Sequence, residues 1–173
     1  MESVVGREPL SRRVRDIKPS GIRKFFDIAA TMSDVISLGV GEPDFTTPLH
    51  IRQAGIEAIE AGETHYTSNY GTLELREAIA DHLERRYGVR YDPRSEILVT
   101  VGVSEAVDIT MRALLDPGDE VVIPDPGYVA YEADVALAGG TVVPVRTSVD
   151  DQFEVKAAAI ERALTPRTKL VLL

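Results

Sequence analysis

Apolar and polar residues recur along this chain in two rhythms, and the change of rhythm divides it. From Leu49 to Gly62, "LHIRQAGIEAIEAG" sets Ile51, Gly55, Ala58 and Ile59 at helical spacing and predicts a helix closed by Gly62. "LELREAIADHLERRYG" carries Leu75, Ile79, Leu83 and Tyr87 on one stripe among alternating charges, which predicts a half-exposed helix ending at Gly88. After "YDPRS" short continuous apolar runs begin to alternate with helical segments. "EILVTV", "EVVIPD", "TVVPV" and "KLVLL" read as four strands, and "GVSEAVDITMRALL", "YVAYEADVALAGG" and "EVKAAAIERAL" as the helices between them. Strands without a polar face belong to a mostly parallel sheet covered by helices on both sides, so the predicted class is α/β.

The first third of the chain is less regular. Residues 1 to about 34 form an arm that breaks at "KPSG" before a helix-like stretch containing Phe25, Phe26, Ile28 and Ala29. "VISLGVGEPDFTTP" then runs from a short apolar strand into glycine and proline loop chemistry. The expected division is residues 1–48 as an arm and loop segment, and 49–173 as part of a larger domain.

Composition narrows the function. The 173 residues are 44% hydrophobic, enough for a real core, and 28 acidic against 19 basic residues give a formal charge of −9. That charge repels nucleic acid and anionic membranes over most of the surface, and favours small-molecule or protein partners. There is no cysteine, hence no disulfide and no thiolate metal site. The charged start lacks an apolar run long enough for a signal or membrane segment, so a cytoplasmic location is expected. His50, His65 and His82 share no metal-ligand spacing.

Three stretches could carry chemistry. In "VTVGVSEAVD" a strand meets a glycine turn at Gly102 and then a helix with Ser104 as expected N-cap, where unpaired first-turn amides and the helix dipole suit an anion such as phosphate. Capping serines are common, so these residues alone favour an ordinary capped helix. "PDPGYVAY" leaves another strand end through an irregular exit that displays Tyr128 and Tyr131, an aromatic surface suited to a flat ligand, although Tyr131 is better read as core. "GVGEPDF" and "THYTSNYG" place Gly41, Tyr66 and Tyr70 on loops where amides can approach a carboxylate, although loop glycines usually serve turns.

Taken together, "SLGVGEPDF", "THYTSNYGTLELREAIADHLERRYG", "ILVTVGVSEAVDITMRALLDPGDEVVIPDPGYVAYEADVALAGG" and "TPRTKLVLL" resemble the N-terminal part of a class I aminotransferase, of the fold-type-I pyridoxal-phosphate enzymes. The resemblance runs in order from about Ser11 to Leu173, and its aspartate and aromatic branch is the nearest. It implies pyridoxal 5'-phosphate as cofactor, an amino acid and a 2-oxo acid as substrates, and a homodimer with shared active sites. It further implies that Gly102, Val103 and Ser104 hold the cofactor phosphate and that Tyr128 stacks on the pyridine ring. Tyr66 would reach the phosphate of the neighbouring subunit. Gly41 would meet the substrate carboxylate, and the arm around Ile17 to Ile22 would fold over the substrate.

The resemblance also requires a lysine that carries the cofactor and shuttles a proton, an aspartate for the pyridine nitrogen and an arginine for the α-carboxylate. Only Lys18, Lys24, Lys156 and Lys169 are present, and none is placed for the task. The expectation is therefore a partial chain, with the catalytic lysine beyond Leu173 and no transamination by these 173 residues alone. The first predicted strand would be separated from the last by strands not present here. Two alternatives stand beside the aminotransferase: a lyase of the same fold, and a non-catalytic fragment that binds the cofactor weakly or serves dimerisation.

Overall fold

The computed structural model describes residues 9–17, 21–36, 41 and 43–173. In chain order the elements are α1 (Arg12–Asp16), α2 (Ile22–Ala30), α3 (Leu49–Glu60), α4 (Leu73–Tyr87), α5 (Gly102–Leu114), β1 (Glu120–Asp125), α6 (Val129–Ala138), β2 (Thr141–Arg146), α7 (Ala157–Ala163) and β3 (Thr168–Val171). They fall into two compact units, one of Met1–Ser20 with Val101–Leu173 and one of Gly21–Thr100.

The first unit is built on a parallel sheet in the order β2-β1-β3. Its central strand is the most buried. Val121 and Ile123 pack with Met111 and Leu115 of α5 and Val135 of α6, while Val122, on the alternate side of the pleat, is also buried. A strand buried on both faces needs an unbroken apolar run, which "VVI" supplies. The helices α6 and α7 pack on β2, and α6 also packs on α5. The α/β class with a parallel sheet is as expected.

A charged clasp fixes the amino end of this sheet. Glu120 is buried, and its carboxylate accepts from the Thr165 hydroxyl (2.5 Å), from Arg167 Nε (2.9 Å) and from Arg167 Nη2. The Glu120 amide in turn donates to the Arg167 carbonyl (2.8 Å). The Thr165 hydroxyl first, and Arg167 second, hold this carboxyl below its ordinary value. The turn before β3 is thereby tied to the start of β1.

Three strands are present among the described residues, not four. "EILVTV" forms no ladder, and its Val99 amide donates to the Tyr70 carbonyl of a loop (3.0 Å). An extended run becomes a strand only with a hydrogen-bonded neighbour alongside, and here the neighbour is a loop. The short strand expected at the start of "VISLGVGEPDFTTP" falls mostly on residues 37–40 and 42, outside the described residues.

The second unit contains α2, α3 and α4. The Thr72 hydroxyl caps α4 by accepting from Leu75 N (3.3 Å), and both α3 and α4 stop where expected, before Gly62 and Gly88. The inward face of α4 is rotated from the predicted stripe. Leu75 and Tyr87 are exposed, whereas Leu73, Arg76, Ile79, Ala80 and Leu83 are wholly or partly covered. Arg76 is the one buried residue among those described in this unit.

Candidate functional site

Topology brings two of the candidate stretches to one edge. The turn 115–119 joins α5 to the amino end of β1, so α5 starts on the carboxyl side of the sheet, and α6 starts there too because it follows β1. Burial first, and the nearby Asp108 of α5 second, raise the carboxyl of Asp134 on α6, with Arg112 opposing. The two helices pack on each other and start on the same side of the sheet, so both N-termini lie at its carboxyl edge. In open α/β sheets this edge is where ligands bind.

At the first N-terminus the chain turns at Gly102 (φ +77°) and enters α5 at once. The N-cap is Val101, not Ser104, because winding begins three residues earlier than the serine suggests. The Val101 side chain makes no capping hydrogen bond; the Glu105 carboxylate instead reaches back and accepts from the amide of Val101 itself. Ser104 and Val103 thus lie within the first turn, both exposed, where an α-helix leaves its amides without internal partners.

At the second N-terminus Tyr128 is the N-cap of α6, with 58% of its surface exposed. Its ring meets Tyr131 edge to face, centroids 5.4 Å apart at 78°. Tyr131 is partly buried against the core, as expected. The exit that delivers Tyr128 is tight, since a Cβ on Gly127 would stand 2.6 Å from the Pro124 carbonyl oxygen. Only glycine fits there.

Beside this exit lies a hollow of about 260 Å³ lined by residues 123–129 and Glu132. Val129 and Glu132 also line a second hollow of about 310 Å³, closed on its far side by Arg13, Asp16 and Ile17 of the arm. An Arg13 Nη1 bond to the Leu137 carbonyl (3.2 Å) holds the arm against α6. Ile17 is therefore brought next to the helix that begins at Tyr128, while residues 18–20 lie outside the described residues.

Gly41 and Tyr66 belong to the other unit, and both are exposed. Among the lysines, Lys24 and Lys169 are exposed and Lys156 pairs with Asp151 (2.6 Å), while Lys18 lies outside the described residues. No group of three or more metal-ligating side chains occurs among the described residues, and no described helix is long and apolar enough to cross a membrane.

The profile of the aminotransferase class I and II family matches residues 33–173. The chain belongs to this family. It is 45% identical over 164 residues to an aspartate aminotransferase of Pyrococcus abyssi, covering 95% of this chain and 42% of that one. It is 41% identical over 164 residues to aromatic-amino-acid aminotransferase 2 of Thermococcus litoralis, with the same coverage of 95% and 42%. Among solved structures, aspartate aminotransferase of Thermus thermophilus superposes with a TM-score of 0.87 at 40% identity, over 96% of this chain and 44% of that one. The chain thus spans about 42% of the length of the curated aminotransferases it matches.

Two residues of this family member escaped the sequence reading. Glu132 lines both hollows yet looks like an ordinary first-turn acid in "YVAYEAD". Arg76 sits in "LELREA", where alternating charge suggests a solvated face. Its signal was spacing: three residues after Leu73 and four before Ala80, it falls on the covered side of α4.

Proposed function

We propose that the protein is a pyridoxal-phosphate-dependent aminotransferase that moves an amino group from an amino acid of the aspartate or aromatic kind to a 2-oxo acid, working as a cytoplasmic homodimer. The observation that carries this reading is the pairing of an exposed first helical turn at Gly102, Val103 and Ser104 with the exposed ring of Tyr128 at the same edge of a parallel sheet. The residues fit the cofactor's chemistry. Backbone amides in the first turn of a helix, with a hydroxyl beside them, suit its phosphate, and an aromatic face nearby suits its flat ring. When bound, pyridoxal phosphate supplies an electron sink for the bonds at the amino acid's α-carbon.

The remaining roles rest on the chain's own residues. Gly102, Val103 and Ser104 would hold the phosphate, and Tyr128 would stack on the ring and shield that face from water. Gly41 offers its amide to the substrate carboxylate, and Ile17 closes the arm over the substrate. Tyr66 reaches the phosphate of the neighbouring subunit. Residues 1–48 serve as arm and substrate loop, and 49–173 as the first part of the cofactor domain. None of the four lysines is assigned the carrier role, so the reading gives transamination to a protein of the relatives' length and none to these 173 residues by themselves.

The test is a titration with pyridoxal phosphate followed by the ligand's own absorption. Ser104→Ala and Tyr128→Leu should each weaken binding by about three- to tenfold, the worth of one hydrogen bond or one stacking contact. Affinities equal to the unsubstituted protein's in both variants sink the assignment. Donor profiling with 2-oxoglutarate as acceptor then separates aspartate from aromatic preference.

A further inference from the structure

The guanidinium of Arg76 is the feature of the helical unit that its fold alone does not require. It is 8% exposed, and its hydrogen-bond acceptors are backbone carbonyls: Nε donates to Gly71 (3.2 Å), and Nη1 donates to Pro93 (2.6 Å) and Arg94 (3.4 Å). It also stands over the Tyr70 ring at 5.9 Å from the centroid. Burying a charge is costly unless its donors are satisfied, and an apolar residue at this position of α4 would avoid that cost. What the arginine adds is a fork that joins the end of the loop 62–72 to the turn at 93–94.

The same loop end is gripped from the other side. Val99 N donates to the Tyr70 carbonyl (3.0 Å), and Gly71 (φ +89°) lies so close that a Cβ there would be 2.7 Å from Val99 Cβ. Within the loop, Ser68 Oγ accepts from Tyr70 N (3.2 Å), and Gly71 N donates to the Ser68 carbonyl (2.9 Å). At the loop's start, Glu63 N donates to Ala58 O (3.0 Å) at the end of α3. Between these two anchored ends Tyr66 is fully exposed. A large aromatic side chain held in solvent by a loop fixed at both ends is a group being presented.

We infer that Arg76 is a positioning residue: by tying Gly71, Pro93 and Arg94 together it sets the conformation of the loop that presents Tyr66 to the cofactor phosphate of the neighbouring subunit. This rests on the role proposed above for Tyr66. The arginine touches neither substrate nor cofactor, and its effect on binding passes through the loop. Lysine cannot replace it, because one ammonium on a flexible stem does not reproduce a planar fork spanning two chain segments.

The experiment uses the protein loaded with pyridoxal phosphate and two independent readouts: amide exchange at residues 64–71, and the cofactor's dissociation constant. Arg76→Met should speed exchange in the loop by about tenfold or more, on the scale of one lost charge-assisted hydrogen bond, with the sheet unit's amides unchanged. It should weaken the cofactor by the same factor as Tyr66→Phe, and the double variant should be no weaker than the worse single. Arg76→Lys, which keeps the charge but gathers its donors on a single nitrogen, should fall between; it also carries the test if the methionine variant does not fold. Unchanged loop exchange in a folded Arg76 variant, or additive losses with Tyr66→Phe, would overturn the inference. If Tyr66→Phe alone leaves affinity intact, the proposed role of Tyr66 fails and the assignment of Arg76 to cofactor presentation is overturned with it, whereas faster exchange would still show that the arginine orders the loop.

Discussion

The interiors of the two units differ in kind: apart from the Glu120 clasp at its margin, the sheet unit encloses apolar side chains. In the sheet unit the fully enclosed side chains are Val121, Val122 and Val135, with Met111, Leu115, Ile123 and Val145 almost as deep. In the helical unit the one buried side chain among the described residues is an arginine, and it is satisfied by carbonyls. Apolar burial is non-directional and tolerates small shifts, whereas a fork of hydrogen bonds fixes particular atoms at particular distances. The first kind of interior makes a platform, and the second makes a pose. The comparison teaches that the sheet unit should fail by losing volume and the helical unit by losing geometry.

The largest expected effect is in the platform. Met111→Ala empties a site that is 2% exposed at the centre of the core and should cost about 2–5 kcal/mol in urea unfolding. A cost below about 1 kcal/mol would mean that the core is looser than its burial indicates. Next comes the pose. Gly71→Ala forces a side chain into a left-handed backbone and against Val99, and should cost about 1–3 kcal/mol, seen as faster amide exchange at 64–71 and not in the sheet. Equal loosening of both units would erase the distinction between them.

The smallest effect is electrostatic. Asp134 is raised from its ordinary value of 3.8 by burial first and by Asp108 second, so folding disfavours its charged form. The penalty is absent below pH 3.8, where the group is protonated folded or unfolded, and grows as pH rises through the folded value. Asp134→Asn should therefore unfold at a higher temperature than the unsubstituted protein at pH 7, with the gap closing on acidification below about pH 4. A gap that does not change with pH would place the effect in packing and not in charge.

Much of the sheet unit was legible in the sequence because its signals are local. "EVVIPD" coincides with β1, and Pro-Gly and Gly-Gly punctuation set the limits of α5 and α6. Tyr131 in the core and Tyr128 at the surface could be told apart from their neighbours alone. What was not legible depended on partners distant in the chain. Whether "EILVTV" is a strand is decided by what lies beside it, and a loop carbonyl at Tyr70 lies there. The start of α5 lies before Ser104 because the chain turns at Gly102 and winds at once, with a glutamate folding back onto the Val101 amide and no serine at the cap. Arg76 looked solvated because it stands among alternating charges; its spacing from Leu73 and Ala80 marks the covered side of α4, but its carbonyl acceptors at Gly71, Pro93 and Arg94 appear in no side-chain pattern.

The tight exit at Gly127 has a consequence for how this edge of the molecule can vary. The ring at position 128 and the backbone that addresses it are separable: the side chain is exposed, while the step before it admits no Cβ. A designer, or natural drift, can exchange the aromatic for another and keep it aimed at the same place, but any residue other than glycine at 127 re-addresses whatever follows. Novelty at this edge is free in identity and fixed in direction.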